Sequence, residues 1–428
     1  MSGTGPATDA AARAGQERVA RMQEAVREEG LAAWLLFDFH GTNPIARAVL
    51  GMDAAPNAAK TTRRWFYLVP ASGEPRKLVH RIEPRALDHL PGSAAVYLTC
   101  DQLDRGVASL VQDAVAGHAR ESGYAPAIAM EYSPAARLPY VSRVDAGTVE
   151  QVRAAGAHVV SSADLAQRFD GTLDPAARRD HVRTGRILSG ILAAAFERAR
   201  EAARPGPPVR LAAPLTEVSL QRFLVERIAS EGLTSTDPPT VAINEHSGDP
   251  HFTTSPATDF PIGPGDFLMI DLWAKRNAPD AIYADYTQVA WLGPAPPERY
   301  RTAFAAVRDA RDAAIARVRE AFRAGTPVRG ADVDDAAREV IASRGLQANF
   351  LHRTGHSIGR EVHANGVHLD NFETRDERRL LDGTLVSVEP GVYFADFGVR
   401  SEVNLLVDGG EVVVTSDPIQ RELPALHP

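Results

Sequence analysis

Four of the chain's thirteen histidines fall within seventeen residues, "HRTGHSIGREVHANGVH" (352–368). Imidazole is the most frequent side-chain metal ligand and the usual acid–base group near neutral pH. Two acidic pairs flank this stretch. In "DFLMIDLWAKRNAPDAIYADYTQVAWLG", apolar runs surround the turn-rich "KRNAPD". A hairpin centred on Ala278 sets Asp271 opposite Asp285, and opposed side chains of an antiparallel pair stand only ~5 Å apart on one face. In "GTLVSVEPGVYFADFGVRSEVNLLV", a turn at "ADFG" pairs Tyr393 with Arg400, Glu389 with Asn404 and Gly391 with Glu402. Glu389 and Glu402 then share a face as diagonal neighbours. Pro390 removes a ladder donor and holds Glu389 extended, which suits the edge of a cleft.

Like charges brought together in apolar strands need a shared proton or a cation. Four carboxylates and one imidazole form a mostly hard donor set that suits Mn²⁺, Co²⁺, Fe²⁺ or Zn²⁺ rather than Cu(I). Five ligands exceed what one tetrahedral catalytic zinc takes. They suit two ions ~3.5–4 Å apart, bridged by carboxylates and a water or hydroxide.

The elements that must position these groups can be read from the rest of the chain. Its 428 residues are 44% hydrophobic and 24% charged with a net charge of −8, as in an ordinary globular protein. No basic stripe suggests a nucleic-acid partner. No leader-like or membrane-length apolar run occurs, so the expectation is a cytoplasmic protein with no membrane partner. Cys100 is the only cysteine, so no internal disulfide or thiolate cluster can form. In "AAVYLTC" it reads as a buried small hydrophobe.

Residues 1–15 are small and polar and read as a flexible tail. From there to about 170, β-type runs at 31–38, 63–70, 94–100, 126–132 and 157–162 alternate with helical ones, which predicts an α/β domain over 1–172. Asp174-Pro175 reads as a helix cap and first turn and opens the second domain, 173–428. There a coarse repeat emerges. Helices near 176–203 and 216–231 precede strands near 239–244, 266–275 and 282–292. Proline-opened and glycine-ended helices then precede strands near 384–394 and 399–407. Two helix–helix–strand-pair copies predict a pseudo-symmetric α+β domain whose site draws ligands from both halves.

At this point "IDLW…YADYTQV", "HRTGHSIG", "SVEPGVYF" and "GVRSEV" resemble the ordered Asp, Asp, His, Glu, Glu motifs of the M24 pita-bread metallopeptidases. That family includes Xaa-Pro aminopeptidases, prolidases and methionine aminopeptidases, with the metal-free creatinases as relatives. The resemblance covers about 175–420, and the preceding domain is similar to the N-terminal α/β domain of creatinase and prolidase. It implies metal ligands Asp271, Asp285, His356, Glu389 and Glu402 for two divalent ions, manganese first among them. It also implies pocket histidines His251 and His363 that contact the scissile region. Glu389 would serve as general base toward a metal-bridging hydroxide, and Arg400 would support the ligands from behind. The implied activity is hydrolysis of peptide bonds, Xaa-Pro bonds in dipeptides or at peptide N-termini, by a homodimer.

Two features depart from the family pattern. Ala364 and Gly366 stand where relatives carry Glu and Pro after the pocket histidine, and the two aspartates are fourteen residues apart, which lengthens the hairpin. The first keeps open an alternative, a metal-dependent hydrolase or lyase of a small non-peptide C–N substrate. A non-catalytic peptidase-like binding module is disfavoured by the complete ligand set. Of the other groups, His352 reads as ordinary hydrogen bonding and His368 as a surface loop residue. His246 is open between pocket and loop, Arg375 is a solvated charge, and Trp273 and Trp291 are core.

Overall fold

The computed structural model describes residues 6–52, 61–122, 126–204 and 214–427. The chain divides into two compact units, Met1–Asp170 and Gly171–Pro428.

The first unit is built on a six-stranded sheet of order β4-β3-β2-β1-β5-β6. Its strands are β1 (Ala33–Asp38), β2 (Trp65–Pro70), β3 (Arg76–His80), β4 (Ser93–Tyr97), β5 (Ala127–Met130) and β6 (His158–Ser161). Only β2 runs against its neighbours; the β1–β5, β5–β6 and β3–β4 pairs are parallel. Helices α1 (Pro6–Glu28), α2 (Pro44–Leu50), α3 (Cys100–Ser122), α4 (Ala146–Ala154) and α5 (Ala163–Asp170) complete it. Strand β1 is apolar from Ala33 to Phe37 because both faces are covered. Trp34 and Leu36 pack with Met22 and Val26 of α1. Ala33, Leu35 and Phe37 pack with Leu103, Val107 and Leu110 of α3.

Two expectations fail here. Residues 6–15 are the start of α1 rather than a tail, and a Cβ on Gly15 would lie 2.2 Å from the His89 carbonyl oxygen. Residues 1–5 lie outside the described residues. Cys100 is exposed, because β4 is an edge strand that ends at Tyr97 and the chain turns at Thr99 into α3. Strand β3 went unread because "RKLVH" carries little apolar signal.

The second unit shows the helix–helix–strand-pair repeat. Asp174 caps α6 (Pro175–Ala202) by accepting from the Ala176 and Ala177 amides, both at 2.8 Å. Then come α7 (Glu217–Ser230), β7 (Leu233–Thr234), β8 (Thr240–Ile243), β9 (Phe267–Arg276) and β10 (Ala284–Trp291). The second copy comprises α8 (Glu298–Ala324), α9 (Gly330–Ser343), β11 (Leu385–Val388), β12 (Gly391–Tyr393), β13 (Gly398–Arg400) and β14 (Val403–Asp408), with β15 (Glu411–Val414) added at its edge. Leu188, Ile191 and Leu192 of α6 and Leu220 and Leu224 of α7 bury Leu268, Ile270 and Leu272 of β9. Phe304, Val307 and Val318 of α8 and Val333 and Ile341 of α9 bury Val386, Val388, Val403 and Leu405. The two hairpins are tied together by single residues. The Asp285 amide donates to Asn404 Oδ1 (3.0 Å), Asn404 Nδ2 donates to the Asp285 carbonyl (2.6 Å), and the Glu402 amide donates to the Thr287 carbonyl (3.0 Å).

Both strand registers differ from the expected ones by two residues. Asp285 pairs with Trp273 and Asp271 with Thr287, so the two aspartates are diagonal neighbours on one face rather than opposed. The ladder starts late because Ile282 and Tyr283 are claimed elsewhere. They pack against Ile358, Leu385 and Leu406, and the Tyr283 amide bonds the Gly359 carbonyl. In the second hairpin the turn closes tightly, the Phe394 amide donating to the Phe397 carbonyl at 2.8 Å, and Gly391 pairs with Arg400. Ser387 pairs with Asn404 and Val388 with Val403, and the same register carried onward sets Glu389 across from Glu402.

Within α6, His181 is fully buried, its Nδ1 2.8 Å from the Tyr283 carbonyl and its Nε2 2.7 Å from Thr415 Oγ1. The carbonyl can only accept, so Nδ1 carries the proton. Burial lowers the pKa to about 4. The unfolded chain therefore binds a proton near pH 6.5 that the folded one refuses until about pH 4. Stability should rise by about 3 kcal/mol across that window from this residue alone. His181→Asn should flatten the slope in denaturant titrations at pH 4.5 and 7, and an unchanged slope would refute the assignment.

Candidate active site

The histidine-rich stretch lies against β11 rather than in a strand of its own. The His356 amide donates to Ser387 Oγ (2.9 Å), the Ser387 amide to the His356 carbonyl (2.8 Å), and the Glu389 amide to the Thr354 carbonyl (2.7 Å). Thr354 is held from behind by buried Asp334 of α9, whose Oδ1 accepts from its amide (2.9 Å) and hydroxyl (2.6 Å). His356 is buried, and its Nδ1 lies 3.2 Å from the Ser357 carbonyl, so that nitrogen bears the proton. Nε2 is left facing Asp285 Oδ2 at 3.5 Å and Glu389 Oε1 at 3.4 Å.

The four acidic candidates converge around it. Asp285, His356 and Glu402 each offer a ligand atom within 4.8 Å of the others. Asp271 is held by Thr287 Oγ1 (2.9 Å) and Arg400 Nη2 (2.5 Å), and Glu389 by Ser387 Oγ (3.2 Å). Burial pushes Asp285 and Glu402 well above the usual carboxylate range, and the neighbouring acids add to the shift. Burial also raises Asp271, against the opposing charge of Arg400. For Glu389 burial is outweighed by the combined pull of His356, His352, Arg400 and Arg353, and its pKa is lowered. Among the described residues no hydrogen bond reaches the buried oxygens Asp285 Oδ1 and Glu402 Oε1. A buried acceptor without a partner is costly. Four acids, one guanidinium, a proton-free imidazole nitrogen and two orphaned oxygens are a donor set that fits a hard divalent cation.

Arg400 touches Asp271, the Thr287 hydroxyl (3.1 Å) and the Tyr393 hydroxyl (3.1 Å). Tyr393 also lies 2.8 Å from His352 Nε2, while His352 Nδ1 donates to the Arg353 carbonyl (2.7 Å). His352 is thus a hydrogen-bonding residue, as expected, but one whose partner reaches Arg400. His363 is open to solvent on one side and stands edge-on to His356, ring centroids 4.2 Å apart; the partial desolvation of its ring and the neighbouring His356 lower its pKa. His251 is exposed, its backbone amide on Asp249 Oδ1 (2.9 Å).

The remaining expectations divide. His368 is buried rather than on a surface loop, its Nδ1 accepting from the Ser357 amide (3.1 Å). His246 lies between Phe252 and Phe260, both 4.2 Å away and nearly parallel, with Nδ1 on the Glu217 carboxylate; it braces its loop. Arg375 is a solvated charge paired with Glu377. Trp273 and Trp291 are partly buried against core clusters. Sequence reasoning missed Thr287, Ser387, Tyr393 and Asp334. Thr287 alone carried a legible signal, two residues from Asp285 and so on the same face of the strand.

Residues 186–409 match the model of metallopeptidase family M24. A probable dipeptidase, PepE, of Mycobacterium tuberculosis (strain H37Rv) is 30% identical over 205 residues, 47% of this chain and 50% of that protein. The Xaa-Pro dipeptidase of Pyrococcus furiosus is 31% identical over 168 residues, 39% of this chain and 43% of that one. This chain therefore spans about half the length of the curated relatives it matches. The crystal structure of dipeptidase PepE from Mycobacterium ulcerans superposes over 97% of this chain and 99% of that one, with a TM-score of 0.62 at 23% identity, a likeness of fold. With the family match covering more than half of the chain and both halves of the acid-lined repeat, the chain belongs to metallopeptidase family M24.

Proposed function

We propose that this chain is a metal-dependent peptidase of small substrates, cleaving Xaa-Pro bonds in dipeptides or at peptide N-termini with two divalent ions. The observation that carries the reading is the buried acid cluster around His356, with its two orphaned oxygens on Asp285 and Glu402. Asp271, Asp285, His356, Glu389 and Glu402 would hold the ions; manganese fits the donor set, and cobalt, zinc or iron are chemically compatible. When bound, such ions supply a nucleophile at neutral pH and polarise the scissile carbonyl.

The residues of the chain supply the rest. Glu389, whose pKa is held low by its imidazole and guanidinium neighbours, takes the proton of the attacking water and returns it to the leaving amine. His363 is neutral at pH 7, so it can donate a single N–H to the oxygen on which charge develops, a contribution of about 3 kcal/mol. His251, exposed in the sequence-expected pocket segment, would contact the scissile region together with His363.

A second reading, hydrolysis of a small non-peptide C–N bond, is favoured by the segment after His363. Ala364 offers no carboxylate, and Gly366 sits so close to Ser357 that a Cβ would lie 2.4 Å from its hydroxyl oxygen. The rim is therefore built for small residues rather than adapted to the usual ones. The deciding experiment measures metal content by elemental analysis. The Mn²⁺-loaded protein is then assayed on Xaa-Pro dipeptides, Xaa-Pro-Yaa peptides and non-proline controls. Chelator-sensitive cleavage of the first or second set is expected. Cleavage of controls alone, or no bound metal and no activity, would reject the peptidase reading.

A further inference from the structure

Thr287 lies on β10 facing Asp271 across the ladder, and it is fully buried. Its hydroxyl is 2.9 Å from Asp271 Oδ1, an acid of the first hairpin, and 3.0 Å from Glu402 Oε2, an acid of the second. Arg400 Nε donates to the Thr287 hydroxyl oxygen at 3.1 Å. Its backbone carbonyl accepts the Glu402 amide at 3.0 Å, so one residue holds Glu402 by main chain and side chain together.

We infer that Thr287 is a positioning residue that links the two halves of the acid cluster and selects the oxygens offered to metal. A hydroxyl has one proton and two lone pairs. Arg400 Nε can only donate, so it occupies one lone pair and turns the hydroxyl proton toward the carboxylates. The proton can serve one of them at a time, and the oxygen sits between both. The consequence shows in what is left over. With Oε2 engaged by Thr287, Glu402 presents Oε1, which has no partner among the described residues. Asp271 accepts from Arg400 at Oδ2 and shares the Thr287 hydroxyl with Glu402 at Oδ1, so it keeps only its outward lone pairs. Residues behind a ligand that fix its orientation typically change metal affinity by about 10–100-fold when removed. The inference rests on the metal-binding reading above and adds a residue to it.

The test compares Thr287→Val, which keeps shape and loses the hydroxyl, with Thr287→Ser, which keeps it. Mn²⁺ binding to the metal-free proteins is measured by calorimetry, and melting temperature is followed with and without Mn²⁺. Thr287→Val should weaken Mn²⁺ binding by about 10–100-fold and shrink the metal-induced rise in melting temperature, with far-UV circular dichroism unchanged. Thr287→Ser should bind within about threefold of wild type, a rescue that a purely packing role would not produce, because serine lacks the methyl that valine retains. If Thr287→Val does not fold, Thr287→Ala is read in its place. Wild-type affinity in the hydroxyl-less variant, or equal loss in the serine variant, overturns the inference. Failure of the wild type itself to bind Mn²⁺ would instead overturn the metal-binding reading.

Discussion

Glu402→Gln is expected to melt at a higher temperature than the wild type without metal and at a lower one with it. In the metal-free protein Glu402 is buried beside Asp285, Asp271 and Glu389, with Arg400 as the neighbouring cation. Burial and the other acids disfavour its charge, and a carboxyl raised in the folded state contributes stability at low pH that is lost as pH rises past the unfolded value near 4.3. Glutamine has nearly the same shape, keeps an oxygen for Thr287 and carries no charge. Its introduction should stabilise the metal-free protein at pH 7 and remove part of the decline with pH. A metal at 100 times its dissociation constant would add about 2.7 kcal/mol to the wild type. The variant should forfeit that increment along with most of the hydrolysis. The measurement is a pair of melting curves, with chelator and with excess Mn²⁺. The same order of stabilities in both would sink the reading of Glu402 as a ligand.

That sign reversal describes how the site is built. The fold holds like charges together in apolar strands at a cost to its own stability, and the cost becomes useful when a cation arrives. His181 tilts the pH dependence the opposite way, since its neutral ring stabilises the fold increasingly from pH 4 to 6.5. Loading with metal should suppress the carboxylate slope and leave the His181 slope visible.

Residue types placed on alternating strands made the chemistry legible before the geometry was known. Asp271, Asp285, Glu389 and Glu402 stand out by their apolar surroundings and repeated spacing, and His356 by the resemblance of "HRTGHSIG" to the family motif; the structure groups Asp285, His356 and Glu402 and sets Glu389 and Asp271 beside them. Their mutual arrangement was not legible. Asp271 and Asp285 turned out diagonal, and Glu389 and Glu402 across from each other, because hairpin register depends on where the turn begins. That in turn depends on distant residues, such as Gly359 taking the Tyr283 amide. His368 looked like a loop residue because no strand surrounds it. Its burial comes from Ser357, eleven residues earlier, and from Asp376, whose Oδ2 accepts the His368 amide at 2.7 Å while pairing with buried Arg378. Asp334 could not be found at all, since an acid on a helix reads as solvated until the loop it holds is known.

Gly355→Ala is expected to damage stability and metal binding together, although the change is a single methyl next to the metal-facing histidine. A Cβ at 355 would lie 2.0 Å from the Ser387 carbonyl oxygen and 2.8 Å from its carbon, both backbone atoms of β11. No rotamer relieves that contact, so either β11 or the 354–356 segment must move. The segment is pinned on its other side too. The Gly355 amide donates to the Leu369 carbonyl and accepts the Leu369 amide at its own carbonyl. Movement away from β11 would break the His356–Ser387 amide pair and the Glu389–Thr354 bond, which set the positions of a histidine and a glutamate of the cluster. Overpacking a closed site costs about 1–3 kcal/mol, and the two displaced groups should lower Mn²⁺ affinity by at least the 10–100-fold seen when supporting residues are removed. Gly190→Ala provides the contrast. It lies exposed in α6 with nothing within 4 Å of its would-be Cβ, so alanine there should stabilise the helix by about 0.5–1 kcal/mol. Melting curves and Mn²⁺ titrations on both variants separate a general glycine effect from a local one. If Gly355→Ala bound metal as the wild type does, the close approach of the histidine segment to β11 would not be what positions His356.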